Sequence, residues 1–210
     1  MTEKKETVRT AVFVSGGGTN LQAIIDRKKT GELPHVELAL VLSSQKNAYA
    51  LERAAYAGIP AFAVSRKKAG SQEAFEAALI EKLEEYGIEL IVLAGFLSIL
   101  SADFTKRYEK RIINVHPSLI PSFCGEGFYG LKVHEEALKR GVKLTGATVH
   151  FVNEIPDGGE IIAQGAVRVY PSDTPEILQR RVMRQAEWKL LPAAVEKVAK
   201  SICNTENKEA

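Results

Sequence analysis

Apolar residues along this chain fall alternately into short β-branched runs and into stripes at helical spacing, a pattern that predicts alternating strands and helices. Residues 10–14 are an apolar run cut off by Ser15-Gly16-Gly17-Gly18-Thr19-Asn20, which reads as a strand ending in a loop. Leu21, Ile24 and Ile25 then recur at helical spacing, so a helix starts at the glycine loop and stops at Gly31. The unit repeats as a strand over 36–42, a helix over 48–57 closed by Gly58, and a short strand over 61–64. Alternation of this kind implies a parallel sheet. Ser71 is placed to cap a helix with the apolar stripe Phe75, Ala78, Leu79 and Leu83, which ends at Gly87. A strand of buried type follows over 89–94, then a loop over 96–100 and a short helix over 101–108.

The second half predicts a strand over 111–115, a long loop rich in glycine and aromatics, and a helix over 132–140. Residues 145–152 alternate as a strand does, 153–159 form a loop, and 161–169 supply strand residues with a bend near Gly165. Asp173 or Thr174 caps a last helix, with Pro175 in its first turn, that runs to about residue 199 and leaves 201–210 as a frayed polar tail. No repeat, low-complexity tract or linker is visible. The expectation is one doubly wound α/β domain, Rossmann-like, its sheet mostly parallel with antiparallel additions in the C-terminal half.

Composition narrows the function. A length of 210 residues is that of one ordinary domain, and 45% apolar with 26% charged residues is the make-up of a soluble globular protein. A formal net charge of +2 is too small to signal a polyanion partner, so nucleic acid is not expected. The leader MTEKKETVRT has no apolar core, and no run approaches the roughly 20 apolar residues a membrane span needs. Cys124 and Cys203 are too few and too far apart for a disulfide framework or a metal cluster, which fits a reducing cytoplasm.

Three stretches could carry chemistry. Backbone amides of Gly18, Thr19 and Asn20 at a helix N-terminus, with two polar side chains, suit a phosphate. No GK[ST] follows and the third glycine of a dinucleotide fingerprint is missing, so a lone phosphomonoester fits better than NAD or ATP; the plainer alternative is a glycine turn that only packs helix on sheet. Asn114 and His116 sit two apart at a strand end before Pro117, and so share a face. Together they can polarise a carbonyl and move a proton, or else simply satisfy backbone groups of the turn. Asp157-Gly158-Gly159 offers a carboxylate that, near His116, would raise the imidazole pKa, though such a run is commonly only a turn.

His35, His134 and His150 form no metal spacing, Cys124 has no adjacent base, Glu187 reads as a solvated or capping charge, and Trp188, Leu190 and Leu191 read as core.

SGGGTNLQAII, VLAGFLSIL, INVHPSLIPSF and GATVHFVNEIPDGGEIIAQ, in that order, make the chain resemble the phosphoribosylglycinamide formyltransferase family from about residue 12 to about 192. The resemblance implies transfer of a formyl group from 10-formyltetrahydrofolate to the amine of phosphoribosylglycinamide in purine synthesis, with no metal. It places Asn114, His116 and Asp157 on the family's catalytic residues: Asn114 donating to the formyl oxygen, His116 as an imidazolium stabilising the oxyanion and supplying the proton the leaving folate nitrogen needs, Asp157 raising its pKa and relaying protons. It implies that Gly18, Thr19 and Asn20 hold the substrate phosphate, that Glu187 binds its ribose, and that Leu97, Ser98, Ile99 and Leu100, with Asn114, line the folate. Residues 1–200 would be the formyltransferase domain, acting as a monomer or homodimer on small molecules.

Some relatives carry Arg where Ser98 stands and roughly where Gln72 stands, and a shorter loop where this chain has FCGEGFYGLKVH; His134 matches a family histidine. Two competing readings are formyl transfer to another acceptor, such as methionyl-tRNA, a sugar nucleotide or water, and a noncatalytic nucleotide or folate sensor. For the first, the methionyl-tRNA enzymes and the hydrolases are expected to bring extra domains for which this length leaves no room, and the phosphate-type glycine loop argues for a small phosphorylated acceptor. The second is expected to lack Asn114, His116 or Asp157.

Overall fold

The computed structural model describes residues 5–209; the first four residues of the polar leader and Ala210 lie outside the described residues. The chain forms two compact units, one running to Ser98 and resuming at Pro192, the other spanning Ile99–Leu191.

The first unit contains β1 (Val8–Val14), α1 (Thr19–Lys29), β2 (Val36–Ser43), α2 (Tyr49–Tyr56), β3 (Ala61–Ala63), α3 (Arg66–Ala69), α4 (Gln72–Glu85) and β4 (Leu90–Leu93). These strands lie side by side in the order β3-β2-β1-β4, and each adjacent pair is parallel. Val12, Phe13, Val41, Leu42, Ile91 and Val92 are fully buried, because helices cover both faces of a parallel sheet and its strands become continuous apolar runs. Ser71 caps α4 as expected, its Oγ accepting from the Ala74 amide at 3.1 Å. The single turn α3 was not predicted: it buries no residue and so leaves no apolar periodicity.

The second unit contains α5 (Ala102–Arg107), β5 (Ile112–His116), α6 (Leu131–Arg140), β6 (Leu144–Phe151), β7 (Ile161–Arg168) and α7 (Pro175–Val182), followed by a π-helical turn at Met183–Glu187 and the start of α8 (Trp188–Glu209). Strands β5, β6 and β7 pair antiparallel, supplying the antiparallel additions that the sequence predicted. Gly165 is not a bend. Strand β7 runs unbroken past it, and a Cβ there would lie 2.9 Å from a Leu190 methyl, so the glycine serves close packing instead. The irregularity falls between Val149 and His150.

The last helical segment also differs from expectation. The predicted frayed tail is helical through Glu209, with Ile202 and Cys203 buried, so an apolar stripe extends beyond the point where the polar residues begin.

Candidate active site

In the first unit, the loop after β1 shapes a donor-rich end on α1. Gly18 precedes that helix at φ +70, a left-handed conformation that glycine adopts without penalty, and a Cβ there would lie 2.6 Å from the Ala50 Cβ. Among the described residues no side chain caps α1, and an anion is favoured at such a helix start, where the first-turn amides point outward. Gly18 and Thr19 are half-buried and Asn20 is buried. Because β2 lies on one side of β1 and β4 on the other, the chain reverses direction across the sheet between β1 and β4, and ligands of such sheets bind at the carboxyl ends flanking that reversal.

The segment after β4 lies at the same end: the Leu97 amide donates to Ser15 Oγ at 2.9 Å. Leu97 and Ile99 are 62% and 65% exposed, unusual for such side chains, whereas Leu100 is buried. Beside the glycine loop, a cavity of about 540 Å³ opens between Ser15–Gly17 and residues 45–49.

In the second unit, the antiparallel register places Asn114 directly opposite His150, and His116 opposite Thr148. Cross-strand neighbours on one face touch. Asn114 Nδ2 and His150 Nε2 are 3.2 Å apart, and His150 Nδ1 lies 2.8 Å from the Phe151 carbonyl. A carbonyl can only accept, so Nδ1 carries a His150 proton. Thr148 holds the turn after His116, donating to the Ser118 carbonyl at 2.7 Å and accepting from the Ile120 amide at 3.1 Å. Gln164 reinforces it by donating to the Ile120 carbonyl at 3.0 Å.

Asp157 arrives from the β6–β7 loop. A Cβ at Gly159 would sit 1.7 Å from the Phe151 carbonyl oxygen, so only glycine lets the loop fold back against β6. That return brings Asp157, itself in the left-handed region at φ +55, over the β5–β6 pair. One carboxylate oxygen lies 3.4 Å from His116 Nδ1 and accepts from the Gly125 amide at 2.9 Å. The other lies 3.5 Å from both Asn114 Nδ2 and His150 Nε2.

The irregular loop between β5 and α6 closes over these groups. The Phe123 carbonyl accepts from His116 Nε2 at 2.8 Å, so Nε2 carries a proton and Nδ1 faces Asp157.

Burial pushes the His116 imidazole below its ordinary value of 6.5; Asp157 and the Phe123 carbonyl pull upward but do not compensate. Asp157 does raise it, as the sequence suggested, but desolvation outweighs that pull. Burial alone would raise the Asp157 carboxyl, yet His150, His116 and the Gly125 amide hold it below the ordinary carboxylate range.

Glu187 is 5% exposed, in the π-helical turn, so the reading as a solvated charge is also corrected. His134 on α6 is fully buried, neither ring nitrogen has a hydrogen-bond partner among the described residues, and burial followed by the nearby His116 lowers its pKa to about 4. Cys124 is half-buried with its thiol donating to the Pro121 carbonyl, and burial raises its pKa. Such a thiol is no activated nucleophile. His150, Thr148, Gln164 and the Phe123–Gly125 backbone are the site members that sequence reasoning missed. Among the described residues no group of His, Cys, Asp or Glu is arranged to hold a metal, and no helix is long and apolar enough to cross a membrane.

Residues 8–195 match the formyl transferase family. The chain belongs to that family. Phosphoribosylglycinamide formyltransferase of Haemophilus influenzae is 39% identical over 185 residues, 88% of this formyl transferase and 84% of that protein. The trifunctional purine biosynthetic protein adenosine-3 of Gallus gallus is 45% identical over 192 residues, but this chain spans only 18% of its length. The crystal structure of glycinamide ribonucleotide transformylase 1 from Symbiobacterium toebii matches with a TM-score of 0.86 at 41% identity, covering 93% of this chain and 89% of that one. The fold of this formyl transferase is accordingly the α/β fold of that relative, mostly parallel with antiparallel strands towards the C-terminal end.

Proposed function

We propose that this formyl transferase moves the formyl group of 10-formyltetrahydrofolate to the amine of phosphoribosylglycinamide, a step of de novo purine synthesis that gives the N-formyl ribonucleotide and tetrahydrofolate. The carrying observation is the convergence of Asn114, His116 and Asp157 on one polar centre within a chain of this family. The phosphate rests on the amides of Gly18, Thr19 and Asn20, and buried Glu187 binds the ribose. The exposed side chains of Leu97 and Ile99 pack on the pterin, Ser98 offers polar contact, and buried Leu100 anchors the segment.

In this reading the amine attacks the formyl carbon while Asn114 donates to the oxygen that becomes negative. Neutral His116 accepts the proton that the amine gives up, at Nδ1, and Asp157 stabilises the imidazolium so formed. The same proton then passes to the folate nitrogen as its bond to carbon breaks and the carbonyl reforms. His116 thus acts first as base and then as acid, and needs no positive charge beforehand. No covalent link to the protein forms. We place this chemistry in residues 1–200, in a cytoplasmic monomer or homodimer whose partners are small molecules, with no nucleic acid, membrane or metal.

The test is a comparison of His116→Ala with wild type in steady-state formyl transfer. Turnover is expected to fall by about 10²–10⁴ with substrate affinities within a few fold, as removal of a general acid–base group does. An unchanged turnover number would remove His116 from the reaction.

A further inference from the structure

Three successive carbonyls of the glycine loop are each held by a donor. The Ala50 amide donates to the Gly16 carbonyl at 3.1 Å, Arg53 Nε donates to the Gly17 carbonyl at 2.7 Å, and the Gln22 amide donates to the Gly18 carbonyl at 2.9 Å. In a planar trans peptide the N–H points opposite to the C=O, so fixing the carbonyl of one residue aims the amide of the next. Holding the Gly17 carbonyl therefore aims the Gly18 amide. Two of the three anchors are backbone groups that the fold supplies regardless of side chain; Arg53 is the one that a single substitution can remove.

The guanidinium is itself fixed. Arg53 Nη1 donates to Gln22 Oε1 on α1 at 3.0 Å, and its central carbon sits 4.9 Å from the centre of the Tyr49 ring. One planar group thus ties α2 to the loop and to α1, a fork that the single ammonium of lysine cannot reproduce. Arg53 is half-buried, and its Cδ would lie 3.4 Å from a Cβ at Gly18, so its stem also fills the space beside the loop.

We infer that Arg53 is a positioning residue for phosphate capture: it holds the Gly17–Gly18 peptide so that the Gly18 amide points at the phosphate of the acceptor substrate. The inference rests on the proposed acceptor, since it assigns Arg53 a part in binding that substrate's phosphate. Without Arg53 the peptide is free to rotate, and the loop loses an aligned donor for the acceptor while the formyl donor is unaffected.

The experiment compares wild type, Arg53→Met and Arg53→Lys; methionine keeps most of the stem but donates nothing. The inference predicts that Arg53→Met raises KM for phosphoribosylglycinamide about tenfold, the size expected for losing one well-aligned donor to a charged group. Turnover and KM for 10-formyltetrahydrofolate stay within twofold, and Arg53→Lys falls between. Calorimetric binding of ribose 5-phosphate is measured in parallel and should weaken by the same factor in Arg53→Met.

Unchanged ribose 5-phosphate binding in Arg53→Met overturns the inference, as does an equal loss for both substrates, which would mark Arg53 as merely structural. A wild type that binds ribose 5-phosphate but transfers no formyl group would sink the proposed activity, and the Arg53→Met binding result would still decide this inference.

Discussion

Which nitrogen of His116 carries its resting proton decides what the side chain can do. The Phe123 carbonyl holds the proton at Nε2, so Nδ1 is free to accept one on the side where Asp157 waits. Burial keeps that acceptor neutral near pH 7 by lowering its pKa below 6.5. The expected consequence is that kcat/KM is flat above about pH 6.5 and falls in acid, with a midpoint below the ordinary histidine value, as protonation removes the base. A pH profile of the wild type checks this, and a rate that rises on acidification through that range would restore the imidazolium as the working form.

Alternation along one strand made Asn114 and His116 candidates, and Asp157 stood out only as a loop carboxylate; the roles of all three came from the family resemblance. His150 was not, because its role depends on lying opposite Asn114 across β5 and β6, and cross-strand register is absent from either strand's own sequence. The only available signal was that Thr148 and His150 repeat the two-residue polar spacing of Asn114 and His116.

At the level of elements, apolar periodicity located every strand and each helix longer than one turn, because burying a face demands it. It failed where chain geometry follows other rules. The loop between β5 and α6 has no period, and its part in the site lies in backbone groups of Phe123 and Gly125 that any side chain would carry. The π-helical turn that buries Glu187 interrupts what reads as one continuous helix.

Helix α6 adds a buried group with a measurable cost. Neutral His134 is fully enclosed with a pKa near 4, whereas in the unfolded chain it titrates near 6.5. The unfolded state therefore binds the extra proton first, so stability is fully present above about pH 6.5 and declines as pH falls towards 4, by ~3 kcal/mol across that window. His134→Leu, which has no proton to bind, should lose less stability than wild type between these limits in urea titrations at several pH values. Equal losses for the two proteins would assign the decline to other groups.

For the whole molecule, the sheet reversal between β1 and β4 gathers the glycine loop and the Leu97 segment at one sheet end within the first unit, while the second unit assembles the polar centre around Asp157. In the function proposed above, phosphate binding and proton transfer fall to different parts of the chain, and formyl transfer draws on both. That division was partly readable beforehand, since a glycine loop after the first strand and a carboxamide–imidazole pair after a later strand both point to carboxyl ends.

The most direct test follows the formyl carbon. Wild-type protein is incubated with 10-formyltetrahydrofolate labelled in the formyl group, with phosphoribosylglycinamide or with water alone as acceptor. Label is expected in the ribonucleotide in equal amount to the tetrahydrofolate formed, with release of labelled formate negligible in either case. Label appearing as formate at the same rate with or without the ribonucleotide would contradict the proposed transfer.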